Sequence, residues 1–521
     1  MPKKSTHKKY LKTFTGRLIL TALAAVLQIV AFLIFTAALS DYSIPITVCM
    51  TALSAVVVLF IINTDKNPAY KLLWSIVILT FPIFGGIMYL TAKLQSSTYL
   101  FKKRAEAAER LILPHMHQDP AITAAMRAES RTKANHASYL AEKAHFPVHR
   151  NTEVVYFPSG EAKFERLRAE LSAAKKFIFL EYFIIQEGFM WDSILKILIA
   201  KVREGVEVRL IWDGMGSYST LPKHYDKTLE SLGIHTLIFN PFVPVATVTQ
   251  NNRDHRKIVV IDGHTAFTGG VNLADEYINV IERYGHWKDA AVMLRGDAAR
   301  SFTLMFLSHW YMGKPADADI TAFFHQPSPG EFRICDARTS GYVQPYADTP
   351  LDGECVGELV YFNLINKAKD YIYIMTPYLI PDNELVTALC FAAKSGIDVR
   401  IITPHIPDKK SVFQVTRSFY GVLLASGVKI YEYTPGFIHS KMVVADDAIG
   451  VCGSVNFDYR SLYLHFECAA LIYDNPAVLD MKRDFLETLA VSEEITPARW
   501  KEIKGRHGLV MSLLRLFAPL L

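Results

Sequence analysis

The chain has 521 residues, of which 51% are hydrophobic, and its mean hydropathy is +0.17. That length allows two globular domains and a membrane segment, and the apolar content is high for a soluble protein. The net charge of +5 is small and dispersed, so it favours anionic membrane lipid as a partner and argues against nucleic acid. The six cysteines show no C-x-x-C spacing, which is typical of buried free thiols in a reducing compartment.

Residues 1–95 are predicted to form a membrane anchor of two or three apolar helices. Residues 1–17 contain six basic residues and no acidic residue, and the charge-free stretch from Leu18 to Leu39 is long enough to span a membrane. A second charge-free stretch runs from Ile44 to Ile62. A signal peptide is the alternative for the first stretch. Its length and the second stretch directly behind it favour an anchor.

A third apolar stretch, Leu72 to Leu90, decides the predicted topology. It contains a proline and a pair of glycines, which fit a kinked or re-entrant segment better than a straight span. The basic N-terminus is expected to stay in the cytosol, and two crossings return the chain there at Lys66 and Lys71. A third crossing would place Lys93 outside, against the positive-inside trend. We therefore expect a multi-pass membrane protein whose catalytic region faces the cytosol.

The rest of the chain is predicted to be an α/β repeat. Residues 96–150 are charged and alanine-rich, which indicates a helical linker. Beyond them, short apolar runs alternate with amphipathic helical patterns, which indicates helices covering a mostly parallel or mixed sheet. The segment GVEVRLI recurs later as GIDVRII, so two related domains are predicted, residues 151–325 and 326–500. The apolar tail, residues 501–521, suits either core packing or an interfacial helix.

A histidine, a lysine and an aspartate recur in two copies of the pattern H-x-K-x-x-x-x-D, each followed by a small-residue turn and an asparagine. The second copy lies 184 residues after the first at every position, from 439 against 255 to 456 against 272. The residues are His255, Lys257, Asp262 and Asn272, and then His439, Lys441, Asp446 and Asn456. One copy alone is more often a surface histidine and lysine entering a strand. Two copies in register predict that both halves converge on one basic site.

These residue types suit chemistry at a phosphodiester. One histidine can attack phosphorus through nitrogen while the other protonates the departing alkoxide, because the pKa of imidazole lies close to neutrality. The two lysines and two asparagines supply donors for the non-bridging oxygens. Because these cations belong to the protein itself, the sequence predicts no metal and no cofactor.

Each motif begins at the edge of an apolar β-branched run. His255 and Lys257 are two residues apart, so a strand places both side chains on one face. Asp262 lies five residues beyond Lys257 and falls on the other face. Although Asp262 and Asp446 belong to the candidate catalytic motif, this position predicts that they stabilise the fold or orient charge.

Two later acids are candidates for orienting the catalytic histidines. A histidine nucleophile needs an acceptor on its second ring nitrogen, which fixes the tautomer and supports positive charge. Asp289 and Glu467 lie at comparable but not identical places in the two halves. Their neighbours His286 and His465 are predicted to pack or to form hydrogen bonds.

At these residues the chain resembles the phospholipase D superfamily. Longer stretches, including EAKFERLRAELSAAKKFIFLEYFII, GVEVRLIWDGMGS and NFDYRSLYLHFE, resemble its bacterial cardiolipin synthase branch. The resemblance implies tandem pseudo-symmetric phospholipase D-type domains, with a mixed sheet flanked by helices, behind the α-helical membrane module. It also implies transfer of a phosphatidyl group between two phosphatidylglycerol molecules, giving cardiolipin and glycerol at the bacterial cell membrane.

The resemblance further implies roles for individual residues. In related enzymes the first motif supplies the nucleophile, so His255 is expected to attack and His439 to act as acid and then as base. Glu181, Tyr182 and Arg460 match family positions near the site. A hydrolase of the same superfamily is an alternative, because it differs only in using water as the acceptor. A non-catalytic membrane scaffold is a second alternative, which the complete motifs disfavour. The sequence predicts no oligomeric state.

Overall fold

A computed structural model describes residues 43–64, 67–80, 89, 96–242, 248–315, 320–323 and 339–520. The chain divides into two compact units, residues 1–95 and residues 96–521. The first unit contains helices α1 (Ser43–Ile62) and α2 (Pro68–Thr80). The two helices pack through a small apolar cluster of Val58, Ile61, Ile78 and Tyr89.

The predicted apolar stretches fall only in part within these residues. Leu18 to Leu39 lies outside the described residues, and Leu72 to Leu90 is described up to Thr80 and at Tyr89. Within the described parts of the chain, no helix combines the length and the apolarity that a membrane crossing needs.

The second unit begins with helices that precede the first sheet. They are α3 (Ser96–Ile112), α4 (Pro120–Glu129) and α5 (Arg131–Glu142). The carboxylate of Asp119 accepts from the N–H of Ala121, and Pro120 occupies the first turn of α4, where no donor is needed. Ser130 caps α5 by accepting from the N–H of Lys133.

The first half of this unit is built on a seven-stranded sheet. In chain order its strands and the short β7 are β1 (Thr152–Phe157), β2 (Phe177–Tyr182), β3 (Glu207–Asp213), β4 (His235–Phe239), β5 (Ile258–Ile261), β6 (Thr265–Gly269), β7 (His286–Lys288) and β8 (Ala291–Gly296). The order across the sheet is β1-β8-β6-β5-β2-β3-β4. Its helices are α6 (Gly160–Ala173), α7 (Phe189–Arg203), α8 (Tyr225–Ser231) and α9 (Ala299–Gly313).

The second half repeats this plan with an eight-stranded sheet. The strands of this half, including the short β11, β14 and β17 outside that sheet, are β9 (Tyr342–Asp348), β10 (Tyr371–Met375), β11 (Leu379–Ile380), β12 (Asp398–Pro404), β13 (Lys429–Tyr433), β14 (Gly436–Ile438), β15 (Met442–Ala445), β16 (Ile449–Gly453), β17 (Phe457–Asp458), β18 (Glu467–Tyr473) and β19 (Ser492–Glu494). The sheet order is β19-β13-β12-β10-β15-β16-β18-β9. Its helices are α10 (Val356–Lys367), α11 (Asn383–Lys394), α12 (Lys410–Ala425), α13 (Tyr459–Tyr463), α14 (Pro476–Ala490) and α15 (Pro497–Arg515).

The two sheets have the same topology. In each, three strands are parallel (β2-β3-β4 and β10-β12-β13) and the remaining shared neighbours are antiparallel. The strand order of the first sheet matches β9-β18-β16-β15-β10-β12-β13 of the second, strand for strand. The prediction of tandem α/β domains is confirmed, and the sheets are mixed.

The side chains of the motif strands alternate between two cores. Val260 of β5 belongs to a cluster that also contains Val444 of β15, so the two halves share one apolar core. Val259 belongs instead to a cluster with Leu167 of α6 and Leu198 of α7. Burial of such side chains stabilises the fold by about 1.5–3 kcal/mol each. This shared core holds the N-terminal ends of β5 and β15, where the motifs begin, in fixed positions.

The C-terminal helix α15 packs against α12 and leaves an apolar face exposed. Ile503 and Met511 are buried, whereas Leu509 is 77% and Leu513 is 59% exposed. The tail thus combines packing on one side with accessible leucines on the other.

Candidate active site

Each motif histidine follows a short connection that is hydrogen-bonded to the opposite half. The N–H of His255 donates to the carbonyl oxygen of Phe466 at 2.9 Å, and the N–H of His439 donates to that of Lys288 at 2.7 Å. Strands β14 and β7 also pair in parallel across the halves. The residue after each acceptor is an acid. The backbone pairing therefore brings each histidine beside the acid of the other half.

The resulting histidine–carboxylate pairs are crossed. His255 Nδ1 lies 2.9 Å from Oε1 and 3.0 Å from Oε2 of Glu467, and His439 Nδ1 lies 2.8 Å from Oδ2 of Asp289. All four side chains are buried. A carboxylate on Nδ1 holds the Nδ1–H tautomer, so each ring presents Nε2 as its reactive atom. The structure places both predicted orienting acids at histidines, each at the histidine of the other motif.

The two carboxylates differ in charge. Burial favours the neutral form of Asp289, but its interaction and hydrogen bond with His439, together with the charge of Lys441, outweigh burial and lower the pKa of this carboxyl. Burial raises the pKa of Glu467 to about 8, against the opposing charge of Lys257. Asp289 is therefore a carboxylate at neutral pH, whereas Glu467 holds its negative charge less readily.

The histidines themselves are kept neutral. Burial, followed by the charge of Lys441, lowers the pKa of His439 to about 4. Burial and then Lys257 lower the pKa of His255 further below its ordinary value. Each ring is therefore a neutral base at physiological pH until an anion enters the site.

The two motif lysines complete this basic centre. Lys257 and Lys441 are 1% exposed, and each ammonium group donates to the carbonyl oxygen of the histidine two residues before it. Burial lowers the pKa of Lys257 to about 8 and that of Lys441 to about 7. Each lysine also lowers the pKa of the histidine of the other motif, so the four groups share one electrostatic centre. A phosphodiester anion there would offset their repulsion.

The two motif asparagines are not equivalent. Asn272 Oδ1 accepts from the N–H of Ile184 at 3.1 Å, and its Nδ2 donates to the hydroxyl of Tyr277 at 2.8 Å. Asn456 is 5% exposed, and its Oδ1 has no hydrogen-bond partner in the described part of the chain. Asn456 therefore retains more hydrogen-bonding capacity for a ligand than Asn272 does.

The carboxylates of the two motif aspartates accept hydrogen bonds from backbone N–H groups and do not contact the motif histidines or lysines. The carboxylate of Asp262 accepts from the N–H groups of residues 175–177 at 2.7–2.9 Å. Asp446 makes the same contacts with residues 369–371 at 2.8–3.0 Å. Each therefore ties the turn after its motif strand to the start of the neighbouring strand, β2 or β10. This geometry supports the fold-stabilising role over a catalytic one.

The glycine turn after the first motif allows a close approach. A Cβ atom on Gly270 would lie 2.0 Å from Oδ1 of Asp289 and 2.9 Å from the carbonyl oxygen of His439. A larger residue would displace the carboxylate that holds His439. The small residue in this turn thus makes room for the orienting acid.

Several contributing residues were missed by sequence reasoning. Ser454 and Ser461 both donate to the carboxylate of Glu467, the second at 2.7 Å. Aromatic rings wall the histidines: Tyr277 lies 5.4 Å from His439 and Phe183 lies 5.2 Å from His255, between ring centroids. In the sequence Ser454 is recognisable only as a small turn residue, and the aromatic side chains carry no periodic signal.

The family-matched residues Glu181 and Tyr182 lie behind the first motif. Glu181 is fully buried and forms an ion pair with Arg256, the residue between the motif histidine and lysine. Asp254 pairs with the same guanidinium. The hydroxyl of Tyr182 accepts from Lys163. The ion pairs of Arg256 therefore hold in place the residues on either side of His255.

The two histidines next to the acids differ. His286 Nδ1 lies 2.9 Å from the hydroxyl of Tyr433, as expected for a hydrogen-bonding residue. His465 packs against His255 with 5.6 Å between ring centroids. Neither ring nitrogen of His465 has a hydrogen-bond partner among the described residues.

Comparison with known proteins places this site in a family. The phospholipase D-like domain of cardiolipin synthase matches residues 167–293 and 361–489, one match in each half. The phospholipase D-nuclease N-terminal family matches residues 52–93. The chain belongs to the cardiolipin synthase family of the phospholipase D superfamily. It is a phosphatidyltransferase of that family.

Relatives match the chain over most of its length. An uncharacterized protein of Streptococcus mutans is 46% identical over 464 residues, covering 89% of this chain and 99% of its own. A cardiolipin synthase of Geobacillus kaustophilus is 34% identical over 481 residues, covering 91% and 93%. The crystal structure of phosphatidylserine synthase from Haemophilus influenzae is similar with a TM-score of 0.52 at 14% identity, covering 71% and 95%. This last likeness shows the fold alone.

Proposed function

We propose that this protein synthesises cardiolipin by transferring a phosphatidyl group from one phosphatidylglycerol to the headgroup hydroxyl of another, with release of glycerol. The observation that carries the proposal is the crossed pairing of His255 with Glu467 and of His439 with Asp289 around two buried lysines. Two oriented histidines in one basic centre suit attack on a phosphodiester from one side and departure from the other. Two relatives are named cardiolipin synthase, which supports cardiolipin as the product.

The proposed reaction has two steps. In the first, Nε2 of His255 forms a bond to phosphorus, the bond to the glycerol oxygen breaks, and protonated His439 gives its proton to that oxygen. In the second, His439 takes the proton from a hydroxyl of the second phosphatidylglycerol, whose oxygen bonds to phosphorus as the bond to His255 breaks. Lys257, Lys441 and Asn456 stabilise the non-bridging oxygens in both steps.

The difference between the two carboxylates supports this assignment of roles. Asp289 has a lowered pKa and stays anionic, so it supports the positive charge that an acid such as His439 must carry. Glu467 has a raised pKa and is held by two serines, so it fixes the tautomer of His255 with less charge support. His255 is therefore the better neutral nucleophile. A substrate phosphate would raise the pKa of His439 and charge it for the first step.

We also propose that the chain is attached to the bacterial cell membrane through residues 1–95, with the catalytic unit facing the cytosol. Residues 1–17 are basic and the following stretches carry no charge. In the first unit, Val48, Val56 and Leu59 are 60–62% exposed. The exposed leucines of α15 suit contact with the membrane surface, where the lipid substrate lies.

The reaction is tested with labelled phosphatidylglycerol in membranes that contain the protein. Cardiolipin and free glycerol in equal amounts are expected. Phosphatidic acid without cardiolipin would instead identify a hydrolase that uses water as the acceptor.

The covalent step is tested by trapping. In His439→Asn, a substrate with a good leaving group forms the intermediate without protonation, while loss of the base slows its resolution. Peptide mapping after a short incubation is expected to find an acid-labile, base-stable phosphatidyl group on His255. An adduct only on His439, found in His255→Asn, would reverse the roles. No histidine adduct in either variant would favour direct attack by the second lipid.

A further inference from the structure

A cluster of three side chains at the first motif has the composition of a metal site. His255, His465 and Glu467 each offer one ligand atom, and these atoms all lie within 4.8 Å of one another. From Oε1 of Glu467, Nδ1 of His255 is 2.9 Å away and Nδ1 of His465 is 3.9 Å away. Bonds of about 2.0–2.1 Å to a tetrahedral ion would separate ligand atoms by about 3.3–3.4 Å. The two distances bracket that value, so small ring rotations would complete the geometry.

The state of His465 is the second observation that points to a ligand. Its side chain is 9% exposed, and neither ring nitrogen has a hydrogen-bond partner in the described part of the chain. Buried polar groups are normally satisfied, because desolvation without a partner is unfavourable. Glu467 is already oriented by Ser454 and Ser461, in the way that ligating carboxylates are oriented by outer hydrogen bonds.

We propose that His255, His465 and Glu467 bind a divalent transition metal of the zinc type, and that the bound ion reversibly inhibits the enzyme. Two imidazoles and a carboxylate suit Zn²⁺ better than Mg²⁺ or Ca²⁺, which prefer oxygen ligands. An ion on Nδ1 of His255 occupies the nitrogen that otherwise carries the proton. The proton of the neutral ring then lies on Nε2, which has no lone pair left to attack phosphorus. The ion is an inhibitor and not a cofactor.

The surroundings limit the affinity of this site. The charges of Lys257, Lys441, Arg253 and Arg460 act on these histidines and repel a cation. The site is therefore expected to bind zinc more weakly than a structural zinc site does, and a chelator is expected to remove the ion and restore activity.

The test compares the full-length wild type with His465→Asn, which removes one ligand but keeps a side chain of similar shape. Zn²⁺ is titrated into the activity assay, and each protein is normalised to its own activity in chelator. We expect the zinc concentration for half inhibition to rise about tenfold or more in the variant, since loss of outer-shell partners alone costs 10–100-fold. His235→Asn, which alters an exposed histidine on β4, is the matched control and is expected to behave as the wild type. Equal inhibition of wild type and His465→Asn would overturn the proposal and place the effect on the lipid or elsewhere.

A second measurement does not depend on turnover. Co²⁺ in place of Zn²⁺ gives visible absorption when it is four-coordinate, and this is recorded on the protein without lipid. The band is expected in the wild type and to be lost in Glu467→Gln and His465→Asn, with circular dichroism unchanged from the wild type. A band that persists in both variants would refute the site. Because no phosphatidylglycerol is present, failure of the synthase assay would leave this result interpretable.

Discussion

The crossed pairs predict that the two carboxylates fail in different ways when each is replaced by its amide. In Asp289→Asn, the new amide donates to Nδ1 of His439, so the single proton of the neutral ring lies on Nε2. That ring cannot act as an acid, because losing its last N–H proton would leave an anion. In Glu467→Gln, the amide likewise places the proton of His255 on Nε2, which removes the lone pair of the nucleophile.

The expected losses follow from the contacts. A hydrogen bond to a charged group contributes about 1.5–3 kcal/mol, which is about 10- to 150-fold in rate at 1.4 kcal/mol per tenfold. Reversal of the tautomer adds to this, and the same change in a serine-protease triad costs about 10⁴-fold in kcat. For phosphatidylglycerol we therefore expect kcat to fall by about 10²–10⁴ in both variants.

The leaving group separates the two roles. Nitrophenolate departs from a phosphatidyl nitrophenyl ester without being protonated, so loss of the general acid matters little for this substrate. In Asp289→Asn, the rate of the nitrophenol burst is therefore expected to stay within about tenfold of the wild-type rate. In Glu467→Gln the burst is expected to fall as strongly as turnover of the natural lipid does. Glu432→Gln is the matched control, since Glu432 Oε2 lies 3.2 Å from Nδ1 of His405 outside the site. Its activity ratio between the two substrates is expected to equal that of the wild type.

The opposite pattern would refute the assignment of roles. A burst preserved in Glu467→Gln and lost in Asp289→Asn would make His439 the nucleophile. Near-normal turnover of phosphatidylglycerol in either variant would contradict the inference that these carboxylates orient the histidines at all.

Four further outcomes are expected. His255→Ala and His439→Ala should each lower kcat by about 10²–10⁴ or more, because neither residue can replace the other; near-normal activity in either would contradict a single shared site. The ammonium groups of Lys257 and Lys441, with pKa values of about 8 and 7, are charged only below those values. The pH profile of kcat/KM should therefore decline above about pH 7–8 and not near pH 10, where an unperturbed lysine loses its charge. Lys441→Arg stays charged and should move this decline to higher pH. A profile that stays flat up to about pH 10 would exclude a need for both charges. Chelators should not lower the activity, and strict dependence on an added divalent ion would contradict the supply of all cations by the protein. Asp262→Asn should lower the free energy of unfolding by about 1.5–3 kcal/mol, measured by urea denaturation, with kcat of the folded protein nearly unchanged; loss of kcat at unchanged stability would return this residue to the catalytic set.

The sequence predicts the repeat well because the repeat is a local property. His255 and Lys257 mark the start of one strand, and the spacing to Asn272 marks the return of the chain to the same edge. The same spacing 184 residues later predicts the same strand and turn. Matching strand orders in the two sheets are the structural form of that observation.

The crossed pairing was not predictable in the same way. Which acid meets which histidine depends on backbone contacts between the halves, such as the N–H of His255 with the carbonyl of Phe466. No local pattern encodes a contact between residues that far apart. Asp289 and Glu467 are 178 residues apart and not 184, because the connection after the second motif is six residues shorter, so the spacing of the motifs alone does not match one acid to the other. In the structure, each acid directly follows the carbonyl group that accepts from the motif histidine of the opposite half.

The two halves have also diverged behind the motifs, which argues that their roles are no longer interchangeable. Arg256 of the first motif enters a buried ion network with Glu181, whereas its counterpart, Ser440, has a hydroxyl without a hydrogen-bond partner among the described residues. The position of Glu181, which pairs with Ile258 in the first sheet, is occupied in the second sheet by Met375, which pairs with Met442. A buried charged network holds one strand more rigidly than an apolar one of the same shape, because each group constrains its partners. Because the histidine–carboxylate pairs are crossed, each half supplies one histidine and the acid that orients the histidine of the other half. Neither half alone contains a complete pair.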